Sequence, residues 1–249
     1  MAAREIVLAV NTENQQPIQG VLNINKPLGL TSMMVCRVVK GKLKSGGAPK
    51  KVKVGHGGTL DPLATGVLVV LIGRATKQQD RIMGTDKAYR AVVDLAHTSE
   101  SCDMEFEQIP AVVEREPTHE EVRAVCDRFV GNIEQAPPMY SAIKVNGHRA
   151  YALARQGIDV EMKSRPIRID SIEIIEYTWP MLTIDIRCAK GTYIRSLARD
   201  IGAELDVGGM LASLVRTEVG QFSLGDAVEL DDLGDPLDPW DLPSTGLES

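Results

Sequence analysis

The sequence predicts an α+β fold whose centre is a mixed, mostly antiparallel sheet flanked by helices. Three observations lead there. Strand-like and helix-like stretches interleave along the 249 residues without a regular strand–helix–strand rhythm. Ile167 to Tyr177 and Leu182 to Ala189 both alternate in polarity and are separated only by a short Trp179-Pro180 break, as antiparallel neighbours would be. Val67 to Ile72 is continuously apolar and reads as a central strand.

In chain order, Val21 to Asn25 alternates like a strand and stops at Lys26-Pro27-Leu28-Gly29. Thr31-Ser32 offers a cap for a helix to about Leu43, with Met34, Val35, Val38 and Val39 expected on its inner side. Ser45 to Pro49 breaks that helix. Asp61-Pro62 reads as a cap followed by proline in the first helical position, giving one turn that Gly66 ends. Ala75 to Met83 suits a short helix and Lys87 to Leu95 a strand. Thr118 to Val130 is an amphipathic helix, with Thr118 and Glu121 at capping-box spacing. Pro137-Pro138 interrupts the next stretch before a strand that ends at Asn146-Gly147. Ala150 to Arg155 is a short helix stopped by Gly157, Thr192 to Leu205 a long amphipathic one, and Met210 to Val219 a strand. After Leu224 the chain turns acidic and proline-rich, so the expectation is a poorly ordered or loosely docked tail.

Net charge is −6, which alone argues against a polyanionic partner. The distribution reverses that. Residues 226–249 hold eight acids and no Lys or Arg, leaving 28 bases against 26 acids in the remainder. Arg37 to Lys53 carries seven bases and no acid, which is either a solvated loop or a polyanion-binding surface. No apolar run approaches the roughly 20 residues of a membrane span, and the N-terminus does not read as a signal peptide. Cys36, Cys102, Cys126 and Cys188 are widely spaced and fit free thiols in a reducing, cytoplasmic setting. The scattered histidines give no metal site.

Chemistry concentrates around Gly55-His56-Gly57-Gly58-Thr59-Leu60-Asp61-Pro62-Leu63-Ala64-Thr65-Gly66. Its glycines admit positive φ angles and close approach of another molecule. On spacing alone, Asp61 is as well explained by capping as by catalysis. Arg195 falls in the first turn of a helix, where the dipole disfavours a cation unless an anion stands opposite. A surface arginine is the plainer alternative. Tyr89 and Tyr193 lie beside cations and suit stacking on bases, or simply core and surface packing. A nucleoside triphosphatase is disfavoured because no GK[ST] ending follows the glycines. A hydrolase built on His56 and Asp61 lacks a serine or cysteine nucleophile in a matching turn.

The glycine-rich string resembles the signature of the TruB-type tRNA pseudouridine synthases. The same family is matched in order by Gly20-Val21-Leu22 with Asn25-Lys26-Pro27, by Lys87-Ala88-Tyr89-Arg90 and by Tyr140-Ser141-Ala142-Ile143-Lys144. It continues in Arg165-Pro166-Ile167, Gly191-Thr192-Tyr193-Ile194-Arg195 and Leu214-Val215-Arg216-Thr217. The resemblance implies a pseudouridine-synthase-like sheet with a thumb-like insertion at about residues 131–160. It implies a catalytic domain over residues 1–225; the chain departs from the many members that continue into a C-terminal RNA-binding domain, since residues 226–249 read as an acidic tail with no such domain. It also implies isomerisation of the T-loop uridine at tRNA position 55, with base flipping, without cofactor or metal, by a monomer that binds the T-arm. Asp61 is then the nucleophile, Arg195 its ion partner, and Tyr89 the residue that stacks on the base and moves a proton. His56, Tyr193, Leu214, Lys26 and Lys144 become substrate-side or supporting residues. A non-catalytic tRNA-binding or folding protein would share every RNA-binding feature and differ only at Asp61.

Overall fold

The computed structural model describes residues 17–141, 143–145, 147–158 and 162–244, with the side chains of 144, 145, 148, 149 and 152 excepted. In chain order the strands and helices are β1 (Gln19–Lys26), α1 (Ser32–Ser45), β2 (Val54–His56), β3 (Ala64–Gly73), α2 (Gln79–Met83), β4 (Lys87–Asp94), β5 (His97–Thr98), β6 (Ile109–Pro110) and α3 (His119–Arg128). They continue with β7 (Gly131–Gln135), β8 (Lys144–Val145), β9 (His148–Arg149), α4 (Ala150–Ala154), β10 (Arg165–Thr178), β11 (Met181–Cys188), α5 (Ile194–Glu204), β12 (Met210–Val219), β13 (Phe222–Ser223) and β14 (Val228–Glu229).

The main sheet runs β14-β1-β3-β12-β4-β11-β10-β7, with β2 on β3 and β13 on β12. Among the described residues only β14–β1 and β3–β12 pair in parallel. The expected mixed, mostly antiparallel sheet is therefore present. The parallel β3–β12 pairing matters most, because it sets Leu214 opposite Ala64 and Arg216 opposite Gly66. Two segments some 150 residues apart in sequence meet there beside Asp61.

The continuous apolar run in β3 is explained by burial on both faces. Leu68, Val70 and Ile72 join Val35, Val39 and Leu43 of α1, while Val67, Val69 and Leu71 pack with Ala75 and Ile82 on the other side. A third cluster packs α3 and α5, through Val122, Val125, Leu197 and Ile201, onto β4, β10 and β11. Burying each such aliphatic side chain contributes about 1.5–3 kcal/mol, which holds the strands that carry the site in register.

Several local expectations are corrected. The inner face of α1 is Val35, Cys36, Val39 and Leu43, whereas Met34 and Val38 are exposed. The stripe through Val35, Val39 and Leu43 follows i, i+4 spacing and decides which side faces the sheet. Pro62-Leu63 is a turn closed by the Ala64 N–H donating to the Asp61 carbonyl at 3.1 Å, not a turn of helix. Proline suits the second position of such a turn for the same reason it suits a helix start, its fixed φ. The region expected to form the thumb opens with β7, which is the sheet's edge strand against β10. Asn146 lies outside the described residues, and Gly147 precedes β9 in a short β8–β9 hairpin.

The tail is not loosely docked as far as Ser244. Leu230 and Leu233 are buried, with Leu237 and Leu242 against the α1 cluster. Lys42 Nζ donates to the Leu233 carbonyl at 2.9 Å and stands 4.0 Å from Asp235, so one base of the cationic run is engaged inside the chain. Apolar residues at 230, 233, 237 and 242 outweigh the charge of the acids between them. Among the described residues no helix is long and apolar enough to cross a membrane.

Candidate active site

The loop from Gly57 to Ala64 is held from every side. The Gly57 N–H donates to Val69 at 2.8 Å, and a side chain at 57 would stand 2.4 Å from Ile82 Cγ2, so only glycine fits. The buried Ser32 hydroxyl donates to the Leu60 carbonyl at 2.9 Å and accepts from the Leu60 N–H at 2.8 Å. Buried Arg216 donates to the carbonyls of Gly58, Thr59 and Val67 at 3.2, 3.1 and 2.8 Å. Lys26, fully buried, donates to Pro27, Leu30 and, at 3.3 Å, to the Pro62 carbonyl next to Asp61. Burial lowers the Lys26 pKa to about 8; the charge of Asp61 opposes that shift and the charge of Arg216 adds to it. A carboxylate on this loop has little freedom to move.

Opposite it, α5 begins at Ile194 with Tyr193 in the cap position. Thr192, expected to begin the helix, lies before it and donates its hydroxyl to the Ala189 carbonyl at 3.1 Å. Buried Gln135 of β7 fixes Tyr193 from both directions, accepting from its N–H at 2.9 Å and donating to its carbonyl at 3.2 Å. Arg195 is thereby aimed into the sheet. Its Nε lies 3.1 Å from Asp61 Oδ2 and its Nη1 3.5 Å from Asp103 Oδ2. It also donates to the carbonyls of Ser101 and Tyr140 at 3.1 and 3.0 Å. The anion expected opposite a first-turn arginine is thus a pair of carboxylates. Asp103 is itself fixed, accepting from the Ser101 hydroxyl at 2.5 Å and the Glu105 N–H at 3.0 Å.

These groups floor a cleft of about 550 Å³ whose walls include Asp61, Tyr89, Tyr193, Arg195, Leu214 and Arg216. The Asp61 side chain is 40% exposed and Arg195 only 8%, so the carboxylate faces the cleft while its partner stays behind it. Burial raises the Tyr89 pKa, with Arg216 opposing, which leaves a neutral phenol at neutral pH. The Arg165 guanidinium sits over the Tyr193 ring, 5.0 Å from its centroid. His56 ends β2 and is not part of the cleft wall. Burial first, then Arg216, lowers its pKa, so the imidazole is neutral, and its Nδ1 has no hydrogen-bond partner among the described residues. Lys26 lies beneath the loop rather than in the cleft. Lys144 begins β8, but its side chain is outside the description.

Asp103 and Gln135 are not singled out by sequence, while Ser32 reads only as part of a helix cap and Arg216 only as part of the Leu214-Val215-Arg216-Thr217 string. Arg216 alone carried a signal: a cation on a strand that otherwise reads as buried.

The cleft is walled by Asp61 and Glu105, by buried Arg195 and by Tyr89, Tyr140, Tyr151 and Tyr193, and a match to the pseudouridylate synthases gives the class of protein. The model of the TruB family pseudouridylate synthase N-terminal domain matches residues 47–194, and that of the tRNA pseudouridylate synthase B C-terminal domain matches residues 195–242. The chain belongs to the TruB family and is a tRNA-modifying isomerase. It is 46% identical over 219 residues to tRNA pseudouridine synthase B of Parabacteroides distasonis, covering 88% of this chain and 93% of that one. It is 43% identical over 222 residues to the namesake from Phocaeicola vulgatus, covering 89% and 94%. Among solved structures it resembles a Cbf5-Nop10-Gar1 complex, with a TM-score of 0.66, 28% identity and 90% of this chain covered. It also resembles the archaeal box H/ACA sRNP Nop10-Cbf5 complex, at 0.61, 31% and 86%. This chain spans only 59% and 52% of the chains matched in those two structures.

Proposed function

We propose that the chain converts the T-loop uridine at tRNA position 55 to pseudouridine, with Asp61 as the nucleophile and the uridine flipped into the cleft. The observation that carries this reading is the Asp61 carboxylate, exposed to the cleft and held 3.1 Å from Arg195. Attack by the carboxylate on the nucleotide, at C1′ or C6, accompanies cleavage of the N1–C1′ bond. The uracil turns, C5 bonds to C1′, the bond to Asp61 breaks and returns the carboxylate, the C5 proton leaves and N1 takes one up, so the product is an isomer. Tyr89 stacks on the base and, as a neutral phenol, moves a proton. Tyr193 and Leu214 bound the base, His56 occupies the space around the extruded nucleotide, and Lys26 supports the loop. Lys144 and the bases from Arg37 to Lys53 contact T-arm phosphates.

Release of tritium from C5-labelled uridine in a T-arm hairpin tests the nucleophile. The wild type turns over, and Asp61→Asn is slower by roughly 10⁴-fold or more. Turnover by both proteins sinks the assignment, and turnover by neither favours a binding protein. Mapping pseudouridine in a full tRNA tests the position.

The segment between β7 and β10 is the thumb of this reading, because Tyr140, Tyr151 and Arg155 line the cleft from it. We expect tRNA to protect it from limited proteolysis. Equal cleavage with and without tRNA rejects the role.

A further inference from the structure

A second cavity, of about 470 Å³, lies at the far end of the β1–β3 ladder from Asp61. The two strands pair from Lys26–Gly66, near Asp61, to Gln19–Gly73, next to the cavity. That separation is roughly 23 Å at ~3.3 Å per residue. Ile18 and the ring of Trp240 line an apolar floor, and Lys51, Lys53, Arg74 and Lys77 stand around it. All four cations are exposed, and among the described residues none has a carboxylate within ion-pair distance. Trp240 is 43% exposed, with its ring backed against Gly47, about 3.9 Å from where a side chain at that position would begin. The Trp240 main-chain N–H donates to Asp238 Oδ1 at 2.8 Å, which fixes the turn that presents the ring.

An accessible indole ringed by unpaired cations offers a π-face to a base and positive charge to the phosphates on either side of it. A paired base has both faces covered by its neighbours in the stem, so the ring takes only an unpaired one. The T-stem cannot supply it, and the T-loop as a whole is committed to the Asp61 cleft, roughly 23 Å away at the other end of the ladder. We infer that this cavity binds an unpaired nucleotide of the tRNA outside the T-arm, stacked on Trp240, while the T-loop occupies the Asp61 cleft; Lys51 and Lys53, the end of the cationic run, then serve this nucleotide and leave the T-arm to the bases before them. The inference rests on the tRNA reading above and adds a second point of attachment to it.

Two measurements test it on the full chain. Single-stranded oligouridylate quenches tryptophan fluorescence in the wild type and fails to do so in Trp240→Phe, where Trp179 remains the other tryptophan. Equal quenching in both proteins overturns the inference. The second compares affinity for full tRNA with affinity for a T-arm hairpin. Trp240→Ala and, independently, Arg74→Ala lower the tRNA-to-hairpin affinity ratio about tenfold. The exposed Arg74 serves as the check that the tail has not merely come loose. A ratio unchanged in both variants overturns the site. Wild-type hairpin turnover, measured in parallel, reports on the Asp61 cleft alone, so the failure of one reading is separable from that of the other.

Discussion

Arg195 sits between two carboxylates of unequal exposure, and that asymmetry divides their work. Asp61 is 40% exposed and lines the cleft; Asp103 is 9% exposed, is not part of that cleft's wall, and is held by Arg195 and by its own turn. Asp103 therefore acts through Arg195, fixing the guanidinium so that Nε meets Asp61. We expect Asp103→Asn to lower kcat about 10²-fold while tRNA affinity stays within about twofold, by analogy with the loss of one preorganised electrostatic partner. Single-turnover kinetics at saturating tRNA, with a separate binding titration, check this. A fall in affinity with unchanged kcat would place Asp103 in RNA binding instead. On local pattern Asp61 is explained by capping, and Arg195 by a surface position, at least as well as by a site, and the resemblance to the TruB-type family is what singles both out. Asp103 carries neither signal. It lies in an acid-rich loop with nothing to mark it until the fold brings Ser101 against Arg195.

The loop from Gly57 to Gly66 works as one element because main-chain groups at Gly57, Gly58, Thr59, Leu60, Pro62 and Gly66 are all bonded to other segments. Gly66 marks where that element meets β12. Its φ is +100°, and a side chain there would begin 2.2 Å from the Arg216 carbonyl oxygen. Gly66→Ala must push β3 away from β12, disturbing the strand whose Arg216 holds the loop. The expected cost is about 3 kcal/mol, read as a lower urea midpoint with turnover reduced in the folded fraction. An unchanged midpoint would mean that the parallel pairing yields without penalty. Element types were readable here from periodicity and caps, as the Thr118–Glu121 capping box shows. Phase was less readable. Met33, Met34, Val35, Val38 and Val39 wrap around more than one face of α1, and only packing on β1 and β3 selects Val35, Val39 and Leu43.

At the scale of the whole molecule, local pattern predicts a mostly antiparallel sheet but not the order of its strands. Nothing near Ala64 in sequence announces that Leu214 will lie opposite it, because pairing across so long a loop is decided by the sum of both cores. The same limit hid the role of the tail, where acids dominate composition and a few leucines dominate energy. Leu230 and Leu233 are buried against α1 and the β1–β3 pair, the Val21 N–H donates to the Pro243 carbonyl at 3.2 Å, and Leu242 covers Gly20. These contacts brace β1, which carries Lys26 to the Asp61 loop. Truncation after Asp226 removes both leucines, at about 1.5–3 kcal/mol each, for an expected loss of about 3–6 kcal/mol. A thermal melt and a urea titration of the truncated chain check it, with hairpin turnover measured below the melting transition. A melting temperature equal to that of the full chain would return the tail to the loosely docked state its charge suggests. A lowered one, with turnover persisting in the folded fraction, is the outcome expected if the tail stabilises the sheet from outside the cleft.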